Sequence, residues 1–287
     1  MSPTIQITLS MIIFGTIGIF RRWIPLPSSF VAMSRGAIGA AFLLIVLALR
    51  KKRLDGGTIR KKLPILCLTG TMLGANWILL FEAYNYTSVA TATLCYYFAP
   101  MFVILASPAL LHERLTAKKL ICVAAALLGM VFVSGVAETG VSSISEIKGV
   151  LLGLAAAVLY AGVVIFNKKT TGVSGTDRTV VQLVVSSVAL LPYVLLTERV
   201  GEMRFTPATI GLLIFVGVVH TGLAYQLYFG AIPHISAQTA AILSYIDPVL
   251  AVILSAVLLH EDMSLLSSIG AVLVIGAAVV SELPERK

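Results

Sequence analysis

The chain has 287 residues, of which 58% are hydrophobic and only 12% are charged, and its formal net charge is +8. A soluble domain carries about 25% charged residues, so too few charges remain here to coat a water-facing surface. Composition therefore excludes a soluble globular protein and favours a chain that lies mostly within a lipid bilayer.

Apolar stretches separated by short charged or Gly/Pro-rich breaks run through the whole chain. Each is about 20 residues long, and a helix of that length crosses the hydrocarbon core of a bilayer. The first has no basic region before it and no Ala-x-Ala site after it, so we expect a retained helix rather than a signal peptide. The sequence predicts an all-α polytopic membrane protein with ten transmembrane helices, at 4–21, 30–49, 63–82, 88–111, 118–136, 147–167, 179–197, 207–230, 237–259 and 264–282.

Lys and Arg residues are distributed unevenly between alternate breaks. With the N-terminus in the cytoplasm, fifteen of them fall in the inner loops and termini and five in the outer loops. Because basic loops stay cytoplasmic, we expect both termini in the cytoplasm and the protein in the plasma (inner) membrane. The same distribution accounts for the positive charge, so no nucleic-acid partner is predicted.

Arg35 is the only Lys or Arg that falls well inside a predicted span rather than at its end. It lies near the outer end of the second span, from which a long side chain can reach the headgroups by snorkelling. Alternatively, its guanidinium faces a cavity and binds a substrate carboxylate or an acidic residue, with Glu82 at the outer end of the third span as a candidate partner. The sequence leaves both interpretations open.

The sequence repeats itself after 148 residues. Ser88–Glu113 aligns without a gap to Ser236–Glu261, with ten of 26 positions identical, including both prolines and both His-Glu pairs. Five helices per copy is an odd number, so the second copy enters the membrane in the opposite orientation. We therefore predict two inverted five-helix repeats, at 1–137 and 147–287, around a central cavity, an arrangement that secondary transporters use to open alternately to each side.

Asp247 is the most informative single residue. It lies about midway along the ninth span, next to Pro248, where an unpaired carboxylate costs several kcal/mol. Its counterpart in the first repeat is Ala99, so the repeat itself does not require the charge. We expect Asp247 to bind a substrate amine or to exchange a proton; the alternative is a buried carboxyl group bonded to backbone that Pro248 leaves free.

Aromatic and amide side chains also fall at membrane depth. Two repeat-related aromatic pairs either surround a cationic head group together with Asp247 or pack as ordinary core residues. These are Trp77, Tyr97, Tyr225 and Tyr245. Three amides either line the transport path or bond one helix to another: Asn76, Gln226 and Gln238.

Prolines interrupt the fourth and ninth spans at matching positions. Pro100 and Pro248 each remove a backbone hydrogen bond and bend the helix, and paired breaks of this kind point to a binding site. Glu113 and Glu261 close the same spans at opposite membrane faces, so they cannot share a metal site. We expect them, together with Glu82, to terminate helices or to form gating contacts.

These features resemble the drug/metabolite transporter superfamily, specifically its ten-helix EamA family. The resemblance rests on the chain length, the inverted repeat, the Phe14–Gly15 pair in the first span, and the proline followed by Leu-Leu-His-Glu in the fourth and ninth spans. It covers nearly the whole chain. It implies a basket of helices 1–4 and 6–9 around a central cavity, with helices 5 and 10 outside, and export or exchange of amino acids or related metabolites.

The sequence therefore favours a secondary transporter of a small polar metabolite, for which Asp247 and Arg35 would bind the two charges of an amino acid. The alternative within this class is a choline-like quaternary-ammonium carrier that uses the aromatic residues. A membrane-embedded lipid-acting enzyme would need HExxH, GxSxG or an acidic cluster, and none occurs. We predict no catalytic residue, metal or cofactor. The expected partners are the substrate and membrane lipids, with proton coupling as an option and the protein a monomer or weak homodimer.

Overall fold

The computed structural model describes residues 1–87, 89–133, 144–259 and 264–283, which form helices and contain no β-strand. Each predicted span corresponds to one helix or one set of consecutive helical segments, which confirms the all-α polytopic class. We number them α1 (Pro3–Arg22), α2 (Ser28–Leu49), α3 (Gly56–Ala83), α4 (Val89–Tyr96 and Ala99–Leu111), α5 (Ala117–Val133), α6 (Ile144–Lys169), α7 (Gly175–Thr197), α8 (Pro207–Phe215, Val216–Leu223 and Ala224–Ala231), α9 (Ala237–Leu243 and Ile246–Leu259) and α10 (Leu265–Glu282).

Length and composition allow seven of these helices, within the described residues, to cross a bilayer: α1 to α4 and α6 to α8. The remaining three are shorter or interrupted as continuous apolar helices. Large apolar side chains point outward along the bundle; Leu151 is 61% exposed and Val272 is 71% exposed. Lipid accommodates such a surface, whereas water does not.

Helix α3 begins seven residues before the predicted third span because Asp55 caps it. The Asp55 carboxylate accepts a hydrogen bond from the Thr58 N–H at 3.0 Å and another from the Thr58 hydroxyl. These bonds hold the pKa of Asp55 below its usual range. The first two turns contain basic residues, so this part of the helix extends beyond the apolar segment and suits the headgroup region.

Helices α4 and α9 are interrupted within one residue of the same position of the repeat. The break in α4 lies at residues 97 and 98, and that in α9 at residues 244 and 245. Pro100 and Pro248 follow within a turn. Because proline has no N–H, the carbonyl four residues earlier loses its helical donor, which explains why both helices break at this point.

The packing of the helices obeys a two-fold relation between the halves. In this relation α1 corresponds to α6, α2 to α7, α3 to α8, α4 to α9 and α5 to α10. The contact α3–α6 then corresponds to α1–α8, the contact α3–α7 to α2–α8, and the contact α4–α6 to α1–α9. All six pairs are in extensive contact. The pairs α2–α7, α4–α9 and α5–α10 map onto themselves and are also in contact. These matched contacts show that the two halves pack on each other in an equivalent way.

Close helix approaches at glycine repeat in the same way. A Cβ on Gly74 would lie 2.9 Å from the Ser186 carbonyl oxygen, between α3 and α7. A Cβ on Gly222, its repeat counterpart, would lie 3.2 Å from the Gly39 carbonyl oxygen, between α8 and α2. Helices α5 and α10 pack chiefly on each other and otherwise reach α9, so they stand beside a basket formed by the other eight.

Candidate functional site

Asp247 lies in the first turn after the break in α9, and the break in α4 faces it. The Tyr97 hydroxyl, inside the α4 break, hydrogen-bonds the Asp247 carboxylate. Helix α1 approaches from the other side: a Cβ on Gly15 would lie only 2.8 Å from the Asp247 carbonyl oxygen. The Asp247 side chain remains partly accessible. The two interrupted helices and α1 therefore place one carboxylate at the middle of the basket.

Arg35 reaches inward from α2 and does not extend along the lipid surface. Its guanidinium carbon lies 4.7 Å from the centre of the Trp77 ring, which is 3% exposed. The Nε of Arg35 is buried without a hydrogen-bond partner. Glu82, the candidate partner, instead accepts hydrogen bonds from the Tyr193 hydroxyl and from Asn85. Among the described residues Arg35 has no carboxylate partner, so its guanidinium is available for a ligand.

Aromatic side chains lie near both Arg35 and Asp247. Both charges act on the hydroxyl groups of Tyr96 and Tyr225, so these two rings are close to each of them. The Trp77 and Tyr225 rings meet edge-on at 6.3 Å, and the Trp77 indole hydrogen-bonds the Tyr225 hydroxyl. The site thus combines one cation, one anion and an aromatic lining.

Further rings extend this lining. Phe14 of α1 meets Tyr225 edge-on at 5.0 Å, while Tyr96 contacts Tyr97 at 5.9 Å and Tyr160 of α6 at 5.7 Å. The lining is therefore drawn from both repeats, since α1 and α4 belong to the first and α6 and α8 to the second. A shift of one repeat against the other would change its shape.

The three predicted amides bond helix to helix rather than to one another. Asn76 donates to the Ala156 carbonyl at 2.7 Å and joins α3 to α6. Gln226 donates to the Thr176 hydroxyl at 2.8 Å and joins α8 to α7. Gln238 donates to the Ser107 hydroxyl at 2.5 Å and joins α9 to α4. In each amide the oxygen is buried without a partner.

Tyr245 differs from its repeat counterpart Tyr97. Its side chain is fully buried, and its hydroxyl lies against the backbone of Met101 in α4. It makes no ring contact with Trp77 or Tyr225 in the described part of the chain. Tyr97 bonds to Asp247 at the site, whereas the structure places Tyr245 in the packing between α9 and α4.

Glu113 lies just after the C-terminal end of α4 and caps the start of α9. Its carboxylate accepts hydrogen bonds from the backbone N–H groups of Ala237 at 2.9 Å and of Gln238 at 3.4 Å. Carboxylates at helix N-termini satisfy unpaired N–H groups and interact favourably with the helix dipole. Its repeat counterpart Glu261 lies outside the described residues.

Sequence reasoning did not single out several polar residues of the interior. Gln182 is fully buried and donates to the Thr69 hydroxyl at 2.5 Å and to the Asn167 carbonyl oxygen at 2.6 Å, which joins α7 to α3 and α6. His220 is 1% exposed within α8. The position of Tyr96, four residues before Pro100, is a signal that could have identified it as a site residue, because the proline leaves the Tyr96 carbonyl group without its helical donor.

Within the described residues, no three His, Cys, Asp or Glu side chains come together in a way that would hold a metal ion. The groups that the site presents are a guanidinium, a carboxylate and aromatic rings.

Comparisons with known proteins point to transport. The model of the EamA-like transporter family matches residues 1–135 and again residues 147–282. A Bacillus subtilis protein named Uncharacterized transporter YxxF is 26% identical over 279 residues, which cover 95% of this chain and 87% of that protein. An Archaeoglobus fulgidus protein named Uncharacterized transporter is 28% identical over 278 residues, which cover 96% and 94%. A crystal structure shares the fold with a TM-score of 0.87 at 19% identity, covering 98% of this chain and 97% of that one.

Proposed function

Because the chain belongs to the EamA-like transporter family, we propose that it carries a small zwitterionic metabolite, such as an amino acid, by alternating access. Two unpaired charges support this substrate class. In the described part of the chain, the Arg35 guanidinium, which stacks on Trp77, has no carboxylate partner, and the Asp247 carboxylate has no basic partner. The two opposite charges share aromatic neighbours without forming an ion pair with each other.

Isolated charges at membrane depth are unfavourable, and a ligand that pairs with both relieves this penalty. A substrate carboxylate pairs with the fork of N–H donors that a guanidinium presents. A substrate ammonium group pairs with Asp247, and neighbouring rings add cation–π attraction. An amino acid supplies both groups in one molecule and leaves the occupied site neutral overall.

The helices that form the site belong to both repeats, taken as residues 1–137 and 147–287. Arg35, Trp77 and Tyr97 come from the first, and Tyr225 and Asp247 from the second. Rocking one repeat against the other would therefore open the site to each side of the membrane in turn. We place the protein in the plasma membrane with both termini in the cytoplasm, and we propose export or exchange as the mode of transport.

A choline-like carrier ranks second because of the geometry at Trp77. The Arg35 guanidinium already lies over the face of that ring, which a quaternary ammonium group would need for cation–π contact. Such a ligand would have to displace Arg35 against charge repulsion.

The test begins with purified protein and a panel of the common amino acids and choline. A ligand at 100 times its Kd stabilises the folded state by about 2.7 kcal/mol, so binders are found from raised unfolding temperatures. Each binder is then tested by counterflow in proteoliposomes, where unlabelled compound inside drives entry of labelled compound. Amino acids should exchange and choline should not; exchange of choline alone would reverse the ranking.

Charge-removing variants assign the site. Arg35→Gln and Asp247→Asn should each reduce amino-acid exchange by at least tenfold, while the matched controls Arg199→Gln and Glu202→Gln should retain it. The control pair lies in the outer loop between α7 and α8, with side chains 83% and 70% exposed. Full exchange in either site variant would remove that residue from the mechanism.

A further inference from the structure

His220 lies in the one stretch of α8 that departs from α-helical geometry. Residues Val216–Leu223 form a π-helical segment that contains no proline. Such segments are uncommon and occur frequently at functional sites. The imidazole ring is 1% exposed and lies against the rings of Phe20, at 5.2 Å, and Phe215, at 5.5 Å.

One hydrogen bond lets us assign the tautomer of this ring. The Thr16 hydroxyl of α1 lies 2.7 Å from the Ile13 carbonyl oxygen, to which it donates its single proton. The His220 Nε2 lies 2.8 Å from the same hydroxyl oxygen. With the Thr16 proton on Ile13, we assign Nε2–H as the donor and the lone pair to Nδ1. The Nδ1 is buried and has no hydrogen-bond partner, so an unoccupied proton acceptor lies in the interior of the protein.

The charged group that faces His220 belongs to the substrate site. Helices α1 and α2 pack against the π-helical segment, and from α1 the contacts are Thr16 and Phe20, neither of which is charged. From α2 the charge of Arg35 acts on the ring, and a Cβ on Gly217 would lie 3.5 Å from the Arg35 carbonyl oxygen. Phe215 of α8 itself is apolar. In the described part of the chain no carboxylate contacts the ring, so burial and the Arg35 charge both disfavour a positive charge on it.

We propose that the Nδ1 of His220 is a proton-binding site whose occupancy is coupled to the anion bound at Arg35. While Arg35 is unpaired, its charge opposes a second positive charge on the neighbouring imidazole. A carboxylate on Arg35 removes this opposition, so substrate and proton bind together and, by linkage, each favours the other. This inference rests on the proposed function in that the carboxylate on Arg35 comes from the substrate.

The first arm of the test needs no substrate. Protein labelled with ¹⁵N-histidine in nanodiscs is titrated by NMR, and the His220→Gln spectrum identifies the His220 signals by difference. We expect the Nε2–H tautomer at neutral pH. In Arg35→Gln, the midpoint for protonation of His220 should move upward by about one pH unit, the order of effect of one nearby charge, while Arg199→Gln leaves it in place. An Nδ1–H tautomer, an unmoved midpoint, or a ring that stays neutral in both proteins overturns the proposal.

The second arm measures coupling in proteoliposomes, with the amino acid that exchanges fastest in the panel. Wild-type protein should accumulate it when a pH gradient is imposed, whereas His220→Gln, which keeps a donor for Thr16, should exchange it but not accumulate it. His234→Gln is the matched control, because His234 is exposed at the cytoplasmic end of α8. Accumulation by His220→Gln at the wild-type level overturns the coupling. Absence of exchange in the wild type contradicts the proposed function, and the NMR arm still decides the proton site.

Discussion

The contact between α1 and α9 beside Asp247 can be tested by adding a single carbon atom. Gly15→Ala places a Cβ 2.8 Å from the Asp247 carbonyl oxygen and 3.0 Å from the Cβ of Leu250. Neither atom is the end of a flexible side chain, so the two helices must separate. Three residues further along α1, a Cβ on Gly18 meets nothing within 4 Å. Gly18→Ala is therefore the same substitution on the same helix without the clash.

The expected magnitudes follow from two opposing effects. Replacing glycine by alanine within a helix favours the folded state by about 1 kcal/mol, and both variants receive this gain. Overpacking costs about 1–3 kcal/mol and applies to Gly15→Ala alone. Gly18→Ala should therefore be as stable as the wild type or more so, and Gly15→Ala should be less stable than Gly18→Ala by about 1–3 kcal/mol. At about 2–4 °C per kcal/mol, the two unfolding temperatures should differ by several degrees.

The protein supplies its own reporter for this measurement. Cys95 and Cys122 are buried free thiols, so a thiol-reactive fluorescent dye follows unfolding as they become accessible. Amino-acid counterflow by the same preparations should fall in Gly15→Ala, because α1 no longer holds α9 at Asp247, and should persist in Gly18→Ala. Equal unfolding temperatures with equal counterflow in the two variants would refute the close approach of α1 to Asp247.

Three further outcomes follow from the interior contacts. Arg35→Lys keeps the charge but loses the planar stacking on Trp77 and the forked donors, so ligand affinity from thermal-shift titration should fall by about tenfold; unchanged affinity would show that the planar guanidinium is not what binds. Gln182→Leu leaves two buried polar partners unsatisfied at about 1–3 kcal/mol each, which should lower the unfolding temperature in the dye assay, and a stability equal to wild type would contradict the observed network. Glu113→Gln weakens the cap on α9 by about 1 kcal/mol, whereas the exposed control Glu202→Gln should leave stability unchanged; equal effects of the two would argue against the cap.

The transmembrane helices could be predicted from sequence because lipid imposes a length and a composition that few other settings require. Asp247 and Arg35 stood out for the same reason, since a charge at membrane depth is expensive wherever it points. The inverted repeat could be read because Pro100 and Pro248 fix equivalent breaks. Length, charge and proline are local properties, and a single sequence records them directly.

The direction of uncharged polar side chains could not be predicted. A transmembrane helix is apolar on every face, so periodicity does not distinguish the side toward a cavity from the side toward a neighbouring helix. Asn76, Gln226 and Gln238 therefore read equally well as lining or as packing, and only the fold shows that they bond neighbouring helices. Tyr245 resembled Tyr97 by position, but the carboxylate that bonds Tyr97 has an alanine as its counterpart.

The π-helical segment of α8 also escaped prediction. A proline marks a missing backbone donor, whereas the stretch around His220 contains none. Its Val, Thr and Gly residues are weak helix formers, but weak propensity alone does not specify a π-helical turn. The segment packs against α1 and α2, a contact that only the assembled bundle shows.

The two-fold arrangement of the backbone bears on where the protein rests between cycles. If the halves exchange roles, a fully symmetric chain would populate its inward-open and outward-open forms equally. Here the resting balance depends on the positions at which the copies disagree, such as Asp247 against Ala99. An energy difference of about 1.4 kcal/mol already gives a tenfold excess of one form. A handful of substitutions can thus reverse the resting side while the framework of helices stays the same.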